Sequence, residues 1–237
     1  MKRVVYFLCL FHSLSLTAQE TGVGDWGIWY MYFGTNKVAE KWSIHTEAQF
    51  RYYDTSGNFN QLLLRTGANY HINPNAIATL GYGYIDTDPS FMDEPIQDGS
   101  FAGNQILEHR IFEQFILKNK VWEFLFEHRY RFEQRFLFNK GLSTSSNELR
   151  DTQHRARYRL QMTLPLTDTF FLNFYDEVFL NLQDSVFGQN RLYAAIGVHL
   201  TTNSSIQFGY LKNHFPTANF DRFQVGFFFN PDLRKKS

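Results

Sequence analysis

Polar and apolar side chains alternate strictly along residues 121–136. One alternate set is mostly aromatic and consists of Trp122, Phe124, Phe126, His128, Tyr130, Phe132, Gln134 and Phe136. The other set is mostly charged and consists of Glu123, Leu125, Glu127, Arg129, Arg131, Glu133 and Arg135. Strict alternation places the two sets on opposite faces of an extended strand. Strands are usually about five or six residues long, so a strand of this length, aromatic on one face and ionic on the other, predicts a wall between lipid and water.

The same alternation recurs along the chain and predicts eleven candidate strands: 25–34, 41–53, 60–72, 76–87, 104–118, 121–138, 150–164, 169–181, 190–200, 204–212 and 220–229. Short connections alternate with longer polar ones, of which 88–103 is the longest, and every connection suits an antiparallel hairpin. Bacterial single-chain barrels have even strand numbers. We therefore expect ten or twelve strands, with twelve preferred, and attribute the odd count to a missed strand, a wrongly split strand or an N-terminal segment inside the barrel.

Alternation alone does not decide which face points inward, because a soluble sandwich or lipocalin also alternates, with its apolar side turned inward. Three features favour a membrane barrel: the strands are long, the apolar face is rich in aromatic residues, and the polar face is a dense array of Arg and Glu. The sequence therefore predicts an all-β fold, an antiparallel up-and-down transmembrane β-barrel whose enclosed interior, the lumen, is charged.

The beginning of the chain has the pattern of a secretory signal. Lys2 and Arg3 precede an apolar stretch over residues 4–16, and Thr17-Ala18-Gln19 offers a small-residue cleavage point. We predict a signal peptide at 1–18, with an ordinary buried helix as the alternative, and a single outer-membrane barrel domain at 19–237. The only cysteine, Cys9, lies within the predicted signal, which excludes a disulfide-stapled fold. The expected location is the bacterial outer membrane, with outer-membrane lipid and the barrel-assembly machinery as partners.

Composition narrows the functional classes. The chain has 23 basic and 23 acidic residues, and the near-neutral balance predicts no nucleic-acid partner. Aromatic residues make up 18% of the chain, including 26 Phe and 13 Tyr, and aromatic girdles are typical of outer-membrane barrels. No apolar run after the predicted signal reaches the roughly twenty residues that a membrane helix needs. A membrane location would therefore require a closed barrel, in which every backbone polar group has a partner.

A repeat at the centre of the chain points to a family. The run Leu-Glu-His-Arg-Ile-Phe-Glu-Gln-Phe at 107–115 recurs in similar form at 126–134, with a fainter echo at 154–159. Other matching features are the opening Trp26-Gly27-Ile28-Trp29, the strand with Glu47 and Arg51, Asn173–Leu180 and Gln189–Tyr193. Together they resemble an uncharacterised bacterial family, domain of unknown function 2490, common in Bacteroidota. The resemblance covers nearly the whole mature chain; it implies an outer-membrane β-barrel with no established activity and adds no catalytic residues.

The charged face supplies the only candidate chemistry. The residues predicted to line the lumen are Glu47, Arg51, Arg65, Glu108, Arg110, Glu123, Glu127, Arg129, Arg131, Glu133, Arg135, Arg155, Arg157, Arg159, Glu177 and Arg191. In one interpretation these ions neutralise one another and fill a narrow barrel. In another they line a passage or pocket for a small molecule or ion, with an arginine excess that prefers anions. A third interpretation is a structural barrel that acts through its outer loops.

The pairing of the fifth and sixth strands can also be predicted. A turn at Asn119-Lys120 would set Glu108 opposite Arg131 and send Glu113 toward lipid. A carboxylate facing lipid costs up to a few kcal/mol at the midplane, so we expect either a bulge near 111–112 or a position close to the interface.

A lipid-modifying enzyme is the least favoured interpretation. His109, His128 and His154 share the apolar phase of their strands, where a packing role is more common than catalysis, and no Gly-x-Ser-x-Gly motif is present. The spacing of Cys and His residues predicts no metal site and no cofactor. Gly81 and Gly83 lie within a strand and are interpreted as close-packing positions.

Overall fold

The computed structural model describes residues 26–55, 57–88, 105–140, 148–183 and 185–234. Within them the chain forms eleven strands: β1 (Gly27–Lys37), β2 (Trp42–Tyr52), β3 (Phe59–Asn73), β4 (Ala76–Thr87), β5 (Ile106–Val121), β6 (Phe124–Asn139), β7 (Glu148–Pro165), β8 (Phe170–Asn181), β9 (Phe187–Thr201), β10 (Ser204–His214) and β11 (Asn219–Phe229). Each corresponds to one of the predicted strands, and the all-β barrel class is confirmed. The predicted signal at 1–18 and most of the predicted loop 88–103 lie outside the described residues.

The strands close into a barrel in chain order. Ten neighbouring pairs are antiparallel, and the last, between β1 and β11, is parallel. The expected even count of ten or twelve is therefore corrected to eleven for the described residues. The even number assumed that every pair would be antiparallel, whereas an odd number of alternating strands makes the first and last run in the same direction. A parallel ladder also satisfies the backbone groups of both edges, so closure does not need an even count.

The two ends of the barrel differ in their connections. The turn end carries the connections at 38–41, 74–75, 122–123, 166–169 and 202–203, and the loop end carries the others, which include the longest, 88–105. At the turn end, β11 stops at Phe229, two residues before Pro231, which has no amide to donate. The closure continues through the backbone beyond it: Lys37 N donates to the Pro231 carbonyl at 2.9 Å and Leu233 N donates to the Lys37 carbonyl at 2.8 Å. Beside these two backbone hydrogen bonds, hydrogen bonds from Arg234 lower the pKa of the Asp232 carboxyl group to about 2.

The β5–β6 hairpin differs from its prediction. Val121 pairs with Phe124, and the turn residues are Trp122 and Glu123 instead of Asn119 and Lys120. Trp122 adopts a φ of 55°, in the left-handed region that non-glycine residues seldom occupy. The alternation runs without interruption through this turn, and no Gly or Pro marks it, so the sequence pattern carries no signal for its position.

The new register changes the predicted pairs. Glu108 lies opposite Leu137 instead of Arg131, and Arg110 lies opposite a like charge, Arg135. The ladder runs without a register shift between β5 and β6, so the bulge expected near 111–112 is absent from it. Glu113 is exposed on the exterior, opposite Leu80 of β4 and Phe132 of β6.

The two faces of the wall have opposite chemistry. The buried side of each strand is rich in charged and amide side chains, whereas the exposed side is rich in large apolar ones. The exposed side includes Tyr30, Phe50, Leu80, Tyr130, Phe174, Leu192, Ile196, Phe208 and Phe223. This arrangement follows from a period of two, which sends alternate residues to opposite sides of the sheet. None of the described residues forms a helix long and apolar enough to cross a membrane.

Glycines make room for aromatic rings inside the barrel. Gly81 lies opposite Phe112, whose side chain is fully buried. A Cβ added at Gly81 would lie 2.2 Å from the Phe112 ring, and the same relation holds between Gly197 and Phe171 at 2.1 Å. The prediction that Gly81 is a close-packing position is therefore confirmed, and the residue opposite it is a ring that fills the lumen.

This contact predicts different outcomes for the same substitution at two positions of β4. Gly81→Ala should lower the free energy of unfolding by about 1–3 kcal/mol, because the new methyl forces Phe112 out of its position. Gly83→Ala is the matched control, since its Cβ would first meet the flexible Arg65 Cγ at 3.3 Å. Urea unfolding of both variants measures the difference, and equal stabilities would contradict the proposed packing.

Candidate functional site in the barrel interior

The sixteen residues predicted to line the lumen take different positions. Fifteen lie on the strands, on the side that faces the interior, and contact one another or the interior rings: Glu47, Arg51, Arg65, Glu108, Arg110, Glu127, Arg129, Arg131, Glu133, Arg135, Arg155, Arg157, Arg159, Glu177 and Arg191. The exception is Glu123, which is exposed in the β5–β6 turn. Its prediction is corrected because β6 begins only at Phe124, so Glu123 precedes the strand.

Glu133 on β6 is the centre of the ion pairs. Its side chain is fully buried and receives hydrogen bonds from Arg155 Nε at 2.9 Å and Arg157 Nη1 at 2.7 Å, both on β7. Arg110 Nη1 on β5 approaches the same carboxylate at 3.4 Å. A buried carboxylate needs partners of opposite charge and good geometry. Glu133 therefore ties three consecutive strands together from inside the barrel.

Two further carboxylates extend this network in both directions. Glu177 on β8 accepts hydrogen bonds from Arg157 Nη2 at 2.8 Å and from Arg129 Nη2 at 2.7 Å. Glu108 on β5 accepts from Arg110 Nε at 2.7 Å and from Arg135 Nη2 at 2.8 Å. The salt bridges consequently run without a break across β5, β6, β7 and β8.

A smaller pair lies on the other side of the barrel. Arg65 Nη1 on β3 donates to Glu47 Oε1 on β2 at 2.8 Å, and both side chains are buried. The two residues are direct cross-strand partners in the ladder, which explains why the pair forms.

Aromatic rings occupy the space between the ions. Phe179 is 1% exposed and lies under the guanidinium of Arg157 at 4.1 Å and that of Arg191 at 4.7 Å. Trp29 lies under Arg51 at 3.9 Å and Arg191 at 5.3 Å, measured from guanidinium carbon to ring centroid. Such contacts between a cation and a ring face are attractive and gain strength away from water. The sequence interpretation assigned all aromatic residues to the lipid-facing side. It therefore missed the rings that alternate in phase with the charged residues and point into the lumen.

Interior glutamines are the second group that the sequence analysis missed. Gln49 and Gln61 accept hydrogen bonds from Arg51, at 2.9 Å to its Nε and 2.6 Å to its Nη1. Gln114 accepts from Arg131 Nε at 2.9 Å. Arg191 Nε and Nη2 each lie 3.0 Å from the Gln189 amide oxygen when that amide is oriented to accept. A glutamine satisfies a guanidinium donor without neutralising its charge, so a search restricted to charged residues overlooks it.

The inward face consequently carries more positive than negative charge. Among the described residues its buried and half-buried carboxylates are Glu47, Glu108, Glu127, Glu133 and Glu177. Its guanidinium groups are Arg51, Arg65, Arg110, Arg129, Arg131, Arg135, Arg155, Arg157, Arg159, Arg191 and Arg222. The eleven arginines outnumber the five glutamates, so these side chains give the interior a net positive charge.

The exterior histidines show no catalytic arrangement. His109 Nδ1 is hydrogen-bonded to Tyr82 Oη, and His128 Nδ1 lies 2.9 Å from Tyr158 Oη. His154 stacks on Phe132 at 6.0 Å with an interplanar angle of 8°. Within the described ranges, no serine or carboxylate is hydrogen-bonded to any of these three rings. These parts of the chain also contain no group of three or more His, Cys, Asp or Glu that could hold a metal ion.

A serine–histidine contact does occur inside the barrel. Ser43 Oγ lies 2.8 Å from His71 Nε2 near the turn end, and Asn69 Nδ2 donates to the same hydroxyl at 3.1 Å. Ser43 is only 1% exposed, so its hydroxyl is not accessible to a substrate. The contact is explained by the hydrogen-bonding needs of a buried hydroxyl.

Comparison with protein families gives one match. The model of the family described as "Protein of unknown function (DUF2490)" matches residues 26–224. The chain belongs to this family. The match spans all of β1 to β10 and about half of β11, so nearly the whole barrel lies within the DUF2490 match. A search of the curated proteins found no match.

The ion pairs around Glu133 predict that a conservative substitution of this residue greatly lowers the stability of the DUF2490 barrel. Glu133→Gln keeps the size of the side chain but removes the buried carboxylate that Arg155 and Arg157 share and leaves the charge of Arg155 unpaired, so the free energy of unfolding should fall by about 3–5 kcal/mol. Glu127→Gln is the control on the same strand and face. Its carboxylate is 20% exposed and contacts Arg159 and Lys118, so we expect a loss of about 1 kcal/mol. Urea titration of the two variants measures both values, and equal losses would refute the central role of Glu133.

Proposed function

We propose that the protein is an integral outer-membrane β-barrel whose interior binds a small solute and is closed to free flow. The observation that carries the proposal is the inverted distribution of side chains: Glu133 is fully buried while Phe208 is 50% exposed. A soluble protein seldom exposes a contiguous apolar patch larger than a few hundred Å². An exterior covered by apolar and aromatic side chains is typical of barrels in lipid.

The wall itself supports a membrane location. The backbone groups of every strand are paired with both neighbours, including at the β1–β11 closure, as a protein segment in hydrocarbon requires. We propose that the N-terminal segment 1–18 directs export, and that the barrel-assembly machinery inserts the chain into the bacterial outer membrane.

The filled interior favours a binder over a permanently open pore. Phe112, Phe179 and Glu133 project inward and are at most 1% exposed, and the salt bridges cross four strands. A barrel this narrow can be filled by its own side chains. The guanidinium excess supports an anion as the solute. Binding through the outer loops stays a prediction, because 89–104 and 141–147 lie outside the described residues.

A charge placed on the exterior tests the membrane proposal. Phe208 lies between Ile196 and Val225, both apolar and on the exterior. The substitution Phe208→Arg should lower the free energy of unfolding in phospholipid vesicles by about 2–4 kcal/mol if the residue lies near the bilayer midplane. Val186→Arg is the control, since Val186 is 64% exposed in the β8–β9 connection and should change stability by at most about 0.5 kcal/mol.

The outcome separates two locations. A water-exposed exterior would make Phe208→Arg a surface substitution as mild as the control. Equal stability of the two variants in vesicles would therefore overturn the membrane proposal.

A further inference from the structure

Four arginines from separate strands converge in the lumen. Arg65 on β3 and Arg51 on β2 are linked through two neighbouring side chains: Glu47 accepts from Arg65 Nη1 and from Gln49 Nε2, and Gln49 accepts from Arg51 Nε. Arg131 on β6 and Arg191 on β9 lie close enough to Arg65 for their like charges to interact. Arg51 and Arg191 also repel each other, and their guanidinium groups lie over the same Trp29 ring. We call these four residues the arginine cluster. Its members come together across the barrel although like charges repel, so the fold holds them in place by other contacts.

The arginines of this cluster make few direct contacts with carboxylates, although Glu47 and Glu177 lie close enough to act on Arg51 and Arg191 electrostatically. Among the described residues, one hydrogen bond joins the cluster to a carboxylate, from Arg65 to Glu47. Arg51, Arg131 and Arg191 are held by the amide oxygens of Gln49, Gln61, Gln114 and Gln189. The nearest carboxylate contact of Arg131 is a 3.7 Å approach of its Nη1 to Glu133, beyond hydrogen-bond distance. This composition differs from the β5–β8 network, where carboxylates hold the arginines.

Two donors of the cluster make no hydrogen bond. Arg65 Nε and Arg131 Nη1 are buried and unbonded, and for Arg131 Nη1 the 3.7 Å ion pair with Glu133 is the only contact with a carboxylate among the described residues. Arg129 Nε and Arg159 Nε are also buried without a hydrogen bond, but other nitrogens of these two arginines bond to Glu177 and Glu127. The Arg65 and Arg131 side chains are only 6% and 2% exposed. Buried polar groups are nearly always hydrogen-bonded, and leaving a charged donor without a partner is unfavourable. Unsatisfied donors and uncompensated positive charge at one place are the features that an anion would correct.

We propose that the arginine cluster is a binding site for a phosphate-type oxyanion. This inference deepens the proposed binding function and rests on it. Guanidinium groups recognise phosphate with two parallel hydrogen bonds, and charge-assisted bonds of this type are the strong ones. A doubly charged anion would offset part of the arginine excess and supply acceptors for the open donors. The same chemistry is offered by free phosphate and by the phosphate group of a larger solute. The rings of Trp29 and Phe179 beside the cluster favour a compact ligand.

The test uses the full chain in detergent micelles, with inorganic phosphate as the probe and sodium chloride to keep the ionic strength constant. Phosphate should raise the thermal stability in a saturable manner, because a ligand of the folded state stabilises it by mass action. The double variant Arg51→Gln/Arg191→Gln should bind phosphate at least about tenfold more weakly, since it removes the charge-assisted hydrogen bonds of two guanidinium groups.

Arg159→Gln is the matched control. It removes the same charge from the inward face near the turn end. Arg159 also has a buried Nε without a hydrogen bond, but its charge is paired with the Glu127 carboxylate, so the control tests whether an open donor alone is enough. It should leave phosphate binding within about twofold of wild type by the additivity of distant sites. Trp29 fluorescence gives a second readout that does not depend on a variant of the cluster: phosphate should change the emission of the wild type but not of Trp29→Phe.

The outcomes decide both the proposal and the source of the anion. Saturable binding of inorganic phosphate alone indicates a free anion, and equal binding of glycerol 3-phosphate indicates a phosphomonoester group; either result supports the site. Absence of a phosphate effect beyond that of chloride, or an equal loss in Arg159→Gln, overturns it. Phosphate binding is measured in micelles, whereas the membrane location is tested by the stability of Phe208→Arg in vesicles. A negative phosphate result therefore does not change the vesicle result, and the two proposals can fail separately.

Discussion

The buried salt bridges around Glu133 are the interaction on which the rest of the barrel depends. A carboxylate removed from water is tolerated only with partners of opposite charge, and those partners lie on β5 and β7, on either side of its own strand. This requirement fixes which face of each strand points inward. Since side chains alternate, the same requirement sends the aromatic residues of β6 to the exterior. A shift of one residue would expose the ions and bury the rings.

Most of the fold could be predicted because its physical basis is local. The period of two along each strand gave all eleven strands and the chemistry of both faces. The closure could not be predicted in this way, because the parallel pairing of β1 with β11 joins residues 195 positions apart, such as Gly27 and Arg222, and leaves no local pattern. The turn at Trp122 was missed for the opposite reason, since the local pattern continues through it unchanged.

The candidate site was predictable in its charged members and not in its neutral ones. Glu133 and Arg157 stand out as ions within an alternating pattern. Phe179 and Gln189 look unremarkable in the sequence, and their roles depend on which arginine reaches them across the lumen. The difference between an arginine held by a glutamate and one held by a glutamine is visible only in three dimensions. That difference divides the interior into a network on β5–β8 whose arginines are paired with glutamates and a cluster beside Trp29 whose arginines are bonded mainly to glutamines.

The central claim, that the ionic face is enclosed and the aromatic face contacts lipid, is tested most directly by tryptophan fluorescence in vesicles of brominated phospholipid. Two single-tryptophan proteins are compared, one that keeps only the interior Trp29 and one that carries only Phe208→Trp on the exterior, with the remaining tryptophans replaced by Phe. The account predicts strong quenching of the exterior tryptophan and little quenching of Trp29. Quenching of Trp29 by the lipid, together with quenching of the Phe208→Trp protein by aqueous iodide, would contradict it.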